Sequence, residues 1–331
     1  MAKMASTRQL SLDGLRGIAA LAVVLYHYFY RLEEILGTYP DVASWAYYGK
    51  YGVHLFFMIS GYVIFMSINK ETKARGFIIS RFSRLYPTFF FAVIITFIIV
   101  KLAGLEGREV KVYEALLNLL MFHEYLGVPH VDGVYWTLTV EITFYFWCFI
   151  TILFNKNNCL PFLLLSFLFF SFSAELLPQT IYKALGKIFI TKYVSFFILG
   201  MFTYKLIKDK EIMQSMAGII VSFLVLILKS ETNEFYIYIL IYILFFLGVI
   251  NMLKAFENAV FVFLGGISYS LYLLHQNIGY VIINNMTERG FEKLFSIFLA
   301  LTLSIFLAWL MHKLVEVKLS KVIKATLHKW F

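Results

Sequence analysis

Three features predict an all-α polytopic membrane protein, a bundle of about ten transmembrane helices with a re-entrant or interfacial segment near 112–127. The 331-residue chain is 61% hydrophobic and only 15% charged, a balance foreign to soluble domains. Apolar runs long enough to cross a bilayer recur from end to end. Lysine and arginine gather in alternate intervals between those runs.

Taken in order, the apolar runs fall near 11–30, 51–69, 87–105, 135–154, 160–177, 188–206, 215–229, 235–253, 259–283 and 293–314. The first follows Lys3 and Arg8 as a signal peptide would. However, Arg16 interrupts it and no small-residue cleavage site follows Tyr30, so it reads as a retained helix. Segment 112–127 is broken by Glu114, Asn118, His123 and Glu124, and counting it as a span spoils the charge pattern downstream. With the N-terminus inside, the basic residues of the cytoplasmic segments outnumber those of the opposite side; Lys70, Lys73, Arg75, Arg81 and Arg84 form the densest group. Both termini are then cytoplasmic. The net charge of +9 is a topology signal and calls for no nucleic-acid partner. Cys148 and Cys159 make no disulfide or zinc pattern. Without linker or repeat, residues 1–331 read as a single integral membrane domain.

Polar residues at lipid depth are costly and mark functional sites. Arg16 and His27 sit in the first run at i and i+11, about three turns (~16 Å) apart, so both project from one face of a helix. Gly14, Gly17, Ala19 and Ala20 between and around them permit close helix approach, and Asp13 either pairs with Arg16 or caps the helix. The second run carries Ser60-Gly61, suited to tight packing or to backbone approach by a ligand. Before the third, Arg81 and Arg84 share a face if the loop is helical, and Pro87 is expected to begin the next helix. Two guanidiniums suit phosphate recognition as well as membrane anchoring. The fourth run places Thr137, Glu141 and Tyr145 at i, i+4 and i+8, following Trp136. By the charge topology Glu141 lies in the same half as His27, where a carboxylate sets the tautomer of an imidazole. The ninth run puts Ser268, Tyr272 and His275 on one face, lining a cavity or joining helices. His312 and Glu316 pair at i and i+4 near the end.

These motifs, in this order, resemble the acyltransferase-3 family of integral membrane proteins: Arg16-x10-His27, Phe56-Phe57-x-x-Ser60-Gly61-Tyr62, Arg81-x-x-Arg84-Leu85-Tyr86-Pro87, Trp136-Thr137-Leu138-x-x-Glu141-x-x-Phe144-Tyr145, and Ile267-Ser268-Tyr269-Ser270-Leu271-Tyr272-Leu273-x-His275. The resemblance covers Leu10 to about Leu319. It implies a bacterial inner-membrane enzyme that moves acetyl from cytoplasmic acetyl-CoA to a hydroxyl of a lipid-linked or surface glycan such as O-antigen or exopolysaccharide. Arg16, His27 and Glu141 are then catalytic, and Arg81, Arg84 and Arg16 serve the donor. Ser60, Trp136, Tyr145, Ser268, Tyr272 and His275 are expected to line the substrate cavity. Glu316 departs from the family's Glu-x-Pro, being followed by Val317 and Lys318, and the chain shows no soluble SGNH-type extension before Phe331. His27, oriented by Glu141, is expected to deprotonate the acceptor hydroxyl or to be acylated itself. No tightly bound cofactor or metal is expected. The rival readings are a proton-coupled transporter of a small metabolite or lipid, which would use the same buried groups, and an acyltransferase with another acyl group or a non-glycan acceptor.

Overall fold

The computed structural model describes residues 9–36, 41–68, 73–154, 156–173 and 177–330. Lys3, Arg8 and Lys70 of the charge argument lie outside the described residues. Among the described residues the chain is helical, with no strand.

The first helix, α1 (Leu10–Leu25), continues through a π-helical turn at Tyr26–Arg31, so that Leu10–Ile35 forms one long run. A 3₁₀ stretch at Asp41–Tyr51 leads into α2 (Gly52–Ile68). Next come α3 (Ala74–Ala103), the short α4 (Val112–Asn118), α5 (Trp136–Leu153), α6 (Leu160–Ser173), α7 (Gln179–Ile188) and α8 (Val194–Tyr204). The remainder comprises α9 (Ile212–Lys229), α10 (Thr232–Val249), α11 (Ala259–Leu274), α12 (Gln276–Glu288), α13 (Lys293–Met311) and α14 (Ser320–Trp330).

Among the described residues, seven helical runs are long and apolar enough to cross a membrane, and the α11–α12 pair, bent by 71°, makes an eighth. The two other expected spans, 160–177 and 188–206, form only the 14-residue α6 and the 11-residue α8. Hydropathy cannot separate a lipid-spanning helix from one enclosed by protein. All eleven residues of α8 are buried, so its neighbours replace lipid as its apolar surroundings. Segment 112–127 forms the seven-residue α4 and a 3₁₀ turn, too short to cross, with Val112, Tyr113, Leu116 and Leu126 exposed.

Pro87 does not begin a helix. It lies inside the 30-residue α3, which extends back to Ala74 and carries Arg81 and Arg84 on its helical surface. The proline lacks the N–H that would reach the Ser83 carbonyl, one missing bond in an otherwise continuous ladder whose Ser83 and Pro87 are buried against neighbours.

Small residues set how deeply the helices interlock. A Cβ on Gly17 would lie 2.4 Å from the Phe261 carbonyl oxygen and 2.7 Å from the Gly265 nitrogen, so α1 and α11 meet backbone to backbone. This contact fixes the level at which Arg16 faces Ser268.

Candidate active site

The break between α11 and α12 organises the site. Where an α-helix bends by 71° inside an apolar bundle, its freed backbone groups need other partners. Tyr135 donates to the Leu273 carbonyl at 3.4 Å, and Tyr28 donates to the His275 carbonyl at 2.7 Å. His275 Nδ1, facing the carbonyls of Leu271 (3.1 Å) and Tyr272 (2.9 Å), carries a proton and donates it to them. On the far side of the break, Asp132 accepts the Asn277 backbone N–H at 2.9 Å through one oxygen and the Val134 N–H at 3.2 Å through the other. One fully buried carboxyl thus caps two helix starts. Burial pushes it up to about 7, against the pull of those two N–H groups and of Arg108.

The tautomer of His27 follows from that of His275. With the His275 proton on Nδ1, its Nε2 accepts, and this atom lies 3.0 Å from His27 Nδ1. His27 Nδ1 also lies 2.9 Å from the Val23 carbonyl oxygen, which only accepts. Both contacts require a proton on His27 Nδ1. The Nε2 lone pair of neutral His27 is therefore left without a hydrogen bond among the described residues. An imidazole in this state, held by the Val23 carbonyl and His275 behind it, is a competent base or nucleophile.

Two cavities meet at this level. One, of about 850 Å³, is lined by Arg16, Ser60, Arg84, Glu141, Tyr145 and Ser268 among apolar neighbours. Arg16 donates to Ser268 Oγ at 3.2 Å; Ser60 donates to Glu141 Oε1 at 3.3 Å, and the Tyr145 hydroxyl donates to the same oxygen. The charges acting on Arg16 are those of Arg84, Asp13, Glu316 and Glu141. The other cavity, of about 790 Å³, is lined by His27, Arg31, Lys50, Arg108, Trp136 and Gln276 among others. Val53 and Tyr272 line both, so the partition is one side chain thick.

Most residues singled out in the sequence reach these cavities, but in a different grouping. Arg16, Ser60, Arg84, Glu141, Tyr145 and Ser268 share the first; His27 and Trp136 share the second; Tyr272 belongs to both. Glu141 does not orient His27. It lies more than one turn along α5 from Trp136, on the Arg16 side of the partition, and it is His275 and the Val23 carbonyl that hold His27. Nor does His275 line the substrate space: it is fully buried behind His27 and belongs to neither cavity. Its ring is held against the Leu271 and Tyr272 carbonyls and His27 Nδ1, away from the cavities that Ser268 and Tyr272 line. Arg81 lies outside the cavity lining, donating to Ser67 Oγ at 3.1 Å, while its Nε and Nη1 are buried without partners. Asp13 acts on Arg16 through its charge. Glu316 Oε2 lies 3.1 Å from His312 Nδ1 and accepts from Ser270 at 2.9 Å.

Sequence reasoning missed Asp132, Tyr28, Arg108 and Gln276. An aspartate just before Gly133 and an apolar run was a legible capping signal. Arg108 carried none, lying in an irregular segment whose path only the fold determines.

Buried arginine, histidine and carboxylate around two adjacent cavities in a helical membrane bundle fit an enzyme site. The pattern of the family described as "Acyltransferase domain" matches residues 9–313, and the chain belongs to this family of membrane acyltransferases. It is 27% identical over 281 residues to "Putative acetyltransferase ORF330" of Acidianus two-tailed virus, covering 79% of this chain and 80% of the relative. It is 25% identical over 367 residues to a "Putative O-acetyltransferase" of Staphylococcus aureus strain COL, covering 94% of this chain and 57% of the relative. It is 29% identical over 153 residues to "Peptidoglycan O-acetyltransferase OatA" of Listeria monocytogenes, covering 41% of this chain and 22% of the relative. The chain thus spans just over half of the staphylococcal protein and under a quarter of the listerial one. No solved structure matches it.

Proposed function

We propose that this protein is a membrane O-acetyltransferase that carries acetyl from cytoplasmic acetyl-CoA to a hydroxyl of an envelope glycan. The observation that carries this reading is the thin partition. A donor cavity with Arg16 and an acceptor cavity with His27 touch at Val53 and Tyr272, and the free Nε2 of His27 belongs to the acceptor side. The relatives named as O-acetyltransferases favour acetyl as the transferred group, and the listerial one, named a peptidoglycan O-acetyltransferase, favours an envelope acceptor.

In this reading the positive-inside topology opens the Arg16 cavity towards the cytoplasm. Arg84, exposed and lining that cavity, takes the phosphates of coenzyme A. The pantetheine arm passes Arg16 and presents its thioester at the partition. His27 Nε2 removes the proton of the acceptor hydroxyl, whose oxygen attacks the thioester carbonyl. The carbon–sulfur bond then breaks, and the leaving thiolate takes the proton back from the imidazolium. The Val23 carbonyl and His275 stabilise that imidazolium through Nδ1–H. Arg16 positions the donor.

The test is incorporation of labelled acetyl from acetyl-CoA into lipid-linked glycan by membranes containing the protein. His27→Ala should lower incorporation by about 10²- to 10⁴-fold, the range for a positioned base, with the protein still inserted. Retained incorporation in that variant would remove His27 from the chemistry.

A further inference from the structure

Three cations and no carboxylate line the His27 cavity: Arg31, Lys50 and Arg108. Two of them have carboxylate partners outside the lining. Arg31 pairs with Glu34, and Lys50 lies 3.7 Å from Glu234. Arg108 makes no ion pair among the described residues. Its Nη1 donates to the neutral amide oxygen of Asn277 at 3.0 Å, and its guanidinium lies over the Tyr280 ring, 5.0 Å from the centroid. The carboxylate that acts on it, Asp132, already spends both oxygens on backbone N–H groups.

A second observation lies beside it. Gln276 Oε1 is buried and has no hydrogen-bond partner, although Gln276 lines the cavity. A Cβ on Gly133 would sit 2.6 Å from this oxygen and 3.3 Å from Arg108 Nη1, so a guanidinium and an unspent acceptor converge on bare backbone. Asp132 already accepts the Val134 and Asn277 N–H groups at the two helical starts here, so the positive potential left at this wall is that of the guanidinium. A neutral sugar would leave this potential unanswered, whereas an anion gains charge-assisted, bidentate bonds from a guanidinium.

Building on the acetyl-transfer reading, we infer that the acceptor is an anionic sugar, carrying a carboxylate or phosphate near the hydroxyl that is acylated. Arg108 grips the anion, Arg31 and Lys50 steer it into the cavity, and Gln276 Oε1 accepts from a sugar hydroxyl so that its neighbour faces His27 Nε2.

The experiment uses the purified full chain with acetyl-CoA and three soluble acceptors: a methyl glucuronoside, the matching methyl glucoside and a glucose phosphate. The kcat/KM for an anionic acceptor should exceed that for the glucoside at least tenfold. That ratio should fall at least tenfold in Arg108→Gln, chiefly through KM, and by less in Arg108→Lys, which keeps charge and tests folding. Whichever anion leads separates carboxylate from phosphate. Equal kcat/KM for all three, or a ratio unchanged in Arg108→Gln, overturns the inference. Calorimetric binding of the same three compounds requires no turnover. An anionic preference that Arg108→Gln abolishes upholds the inference even if no acceptor is acetylated, which would count against the transfer reading alone. Binding of none, or of all alike, overturns it.

Discussion

The two cavities on either side of Val53 and Tyr272 handle charge differently. Around Arg16, positive and negative groups are internal to the site: Arg16 and Arg84 share the space with Glu141, and serine and tyrosine hydroxyls satisfy the remainder. Around His27 the lining is cationic, and the carboxyl that best compensates it is committed to capping two helices. Isolated charges at membrane depth are costly, so cations that share their cavity with a carboxylate call for a counter-ion less strongly than a lining of cations alone. Under the acetyl-transfer proposal, this contrast is the reason for giving the two chambers different substrates.

The sharpest way to break it is to thicken the partition. Val53→Trp fills the one-side-chain wall and should cut acetyl transfer by about 100-fold while acetyl-CoA still binds, because overpacking costs ~1–3 kcal/mol locally and leaves Arg16 and Arg84 unchanged. Transfer at the parental rate would mean that the substrates meet elsewhere. Next in size is His275→Gln, expected to lower kcat by about 10- to 100-fold with little change in either KM, as for other residues that orient a functional imidazole. The pH profile of kcat should shift as well, since the partner of Nδ1–H changes; a profile unchanged in shape would make His275 merely structural. Glu141→Gln keeps the hydrogen bonds from Ser60 and Tyr145 but removes the countercharge of the donor chamber. Its effect should fall on the KM for acetyl-CoA, by about tenfold for the loss of roughly 1.4 kcal/mol, and leave the KM for the acceptor alone. An acceptor KM that moves instead would reverse the assignment of the chambers.

The smallest effect concerns stability. Asp132, raised to about 7 from 3.8, holds in the folded state a proton that the unfolded chain releases between those values. Its contribution is complete below pH 4 and is lost as pH rises towards 7. The melting temperature of the parent should therefore fall across that window relative to Asp132→Asn; parallel curves would show that the carboxyl is ionised throughout.

Much of the architecture was legible because lipid imposes simple rules. The runs at 51–69, 215–229 and 235–253 appear as helices, and Arg16 and His27 reach the same partner segment, at Ser268 and His275. Gly14 and Gly17 correctly announced a close contact. The depth of Glu141 was not legible. Periodicity gives the angle around a helix axis, whereas the level of α5 against α1 is set by packing between segments far apart in sequence. The role of His275 failed for a related reason: an uninterrupted apolar run, 259–283, hides a 71° bend stabilised by Tyr28, Tyr135 and Asp132, residues drawn from two other helical runs and a loop.

By itself the sequence determined a helical membrane protein, a polar stripe from Arg16 to His27, and a family. These follow from composition, spacing and motif order, all properties of the chain read locally. Tertiary structure decided which polar groups share a chamber, which nitrogen of His27 is free, and that Arg108 joins it. Those depend on helix depth, on one broken helix and on where backbone groups find partners in the absence of water, and none of these is a function of neighbouring residues alone.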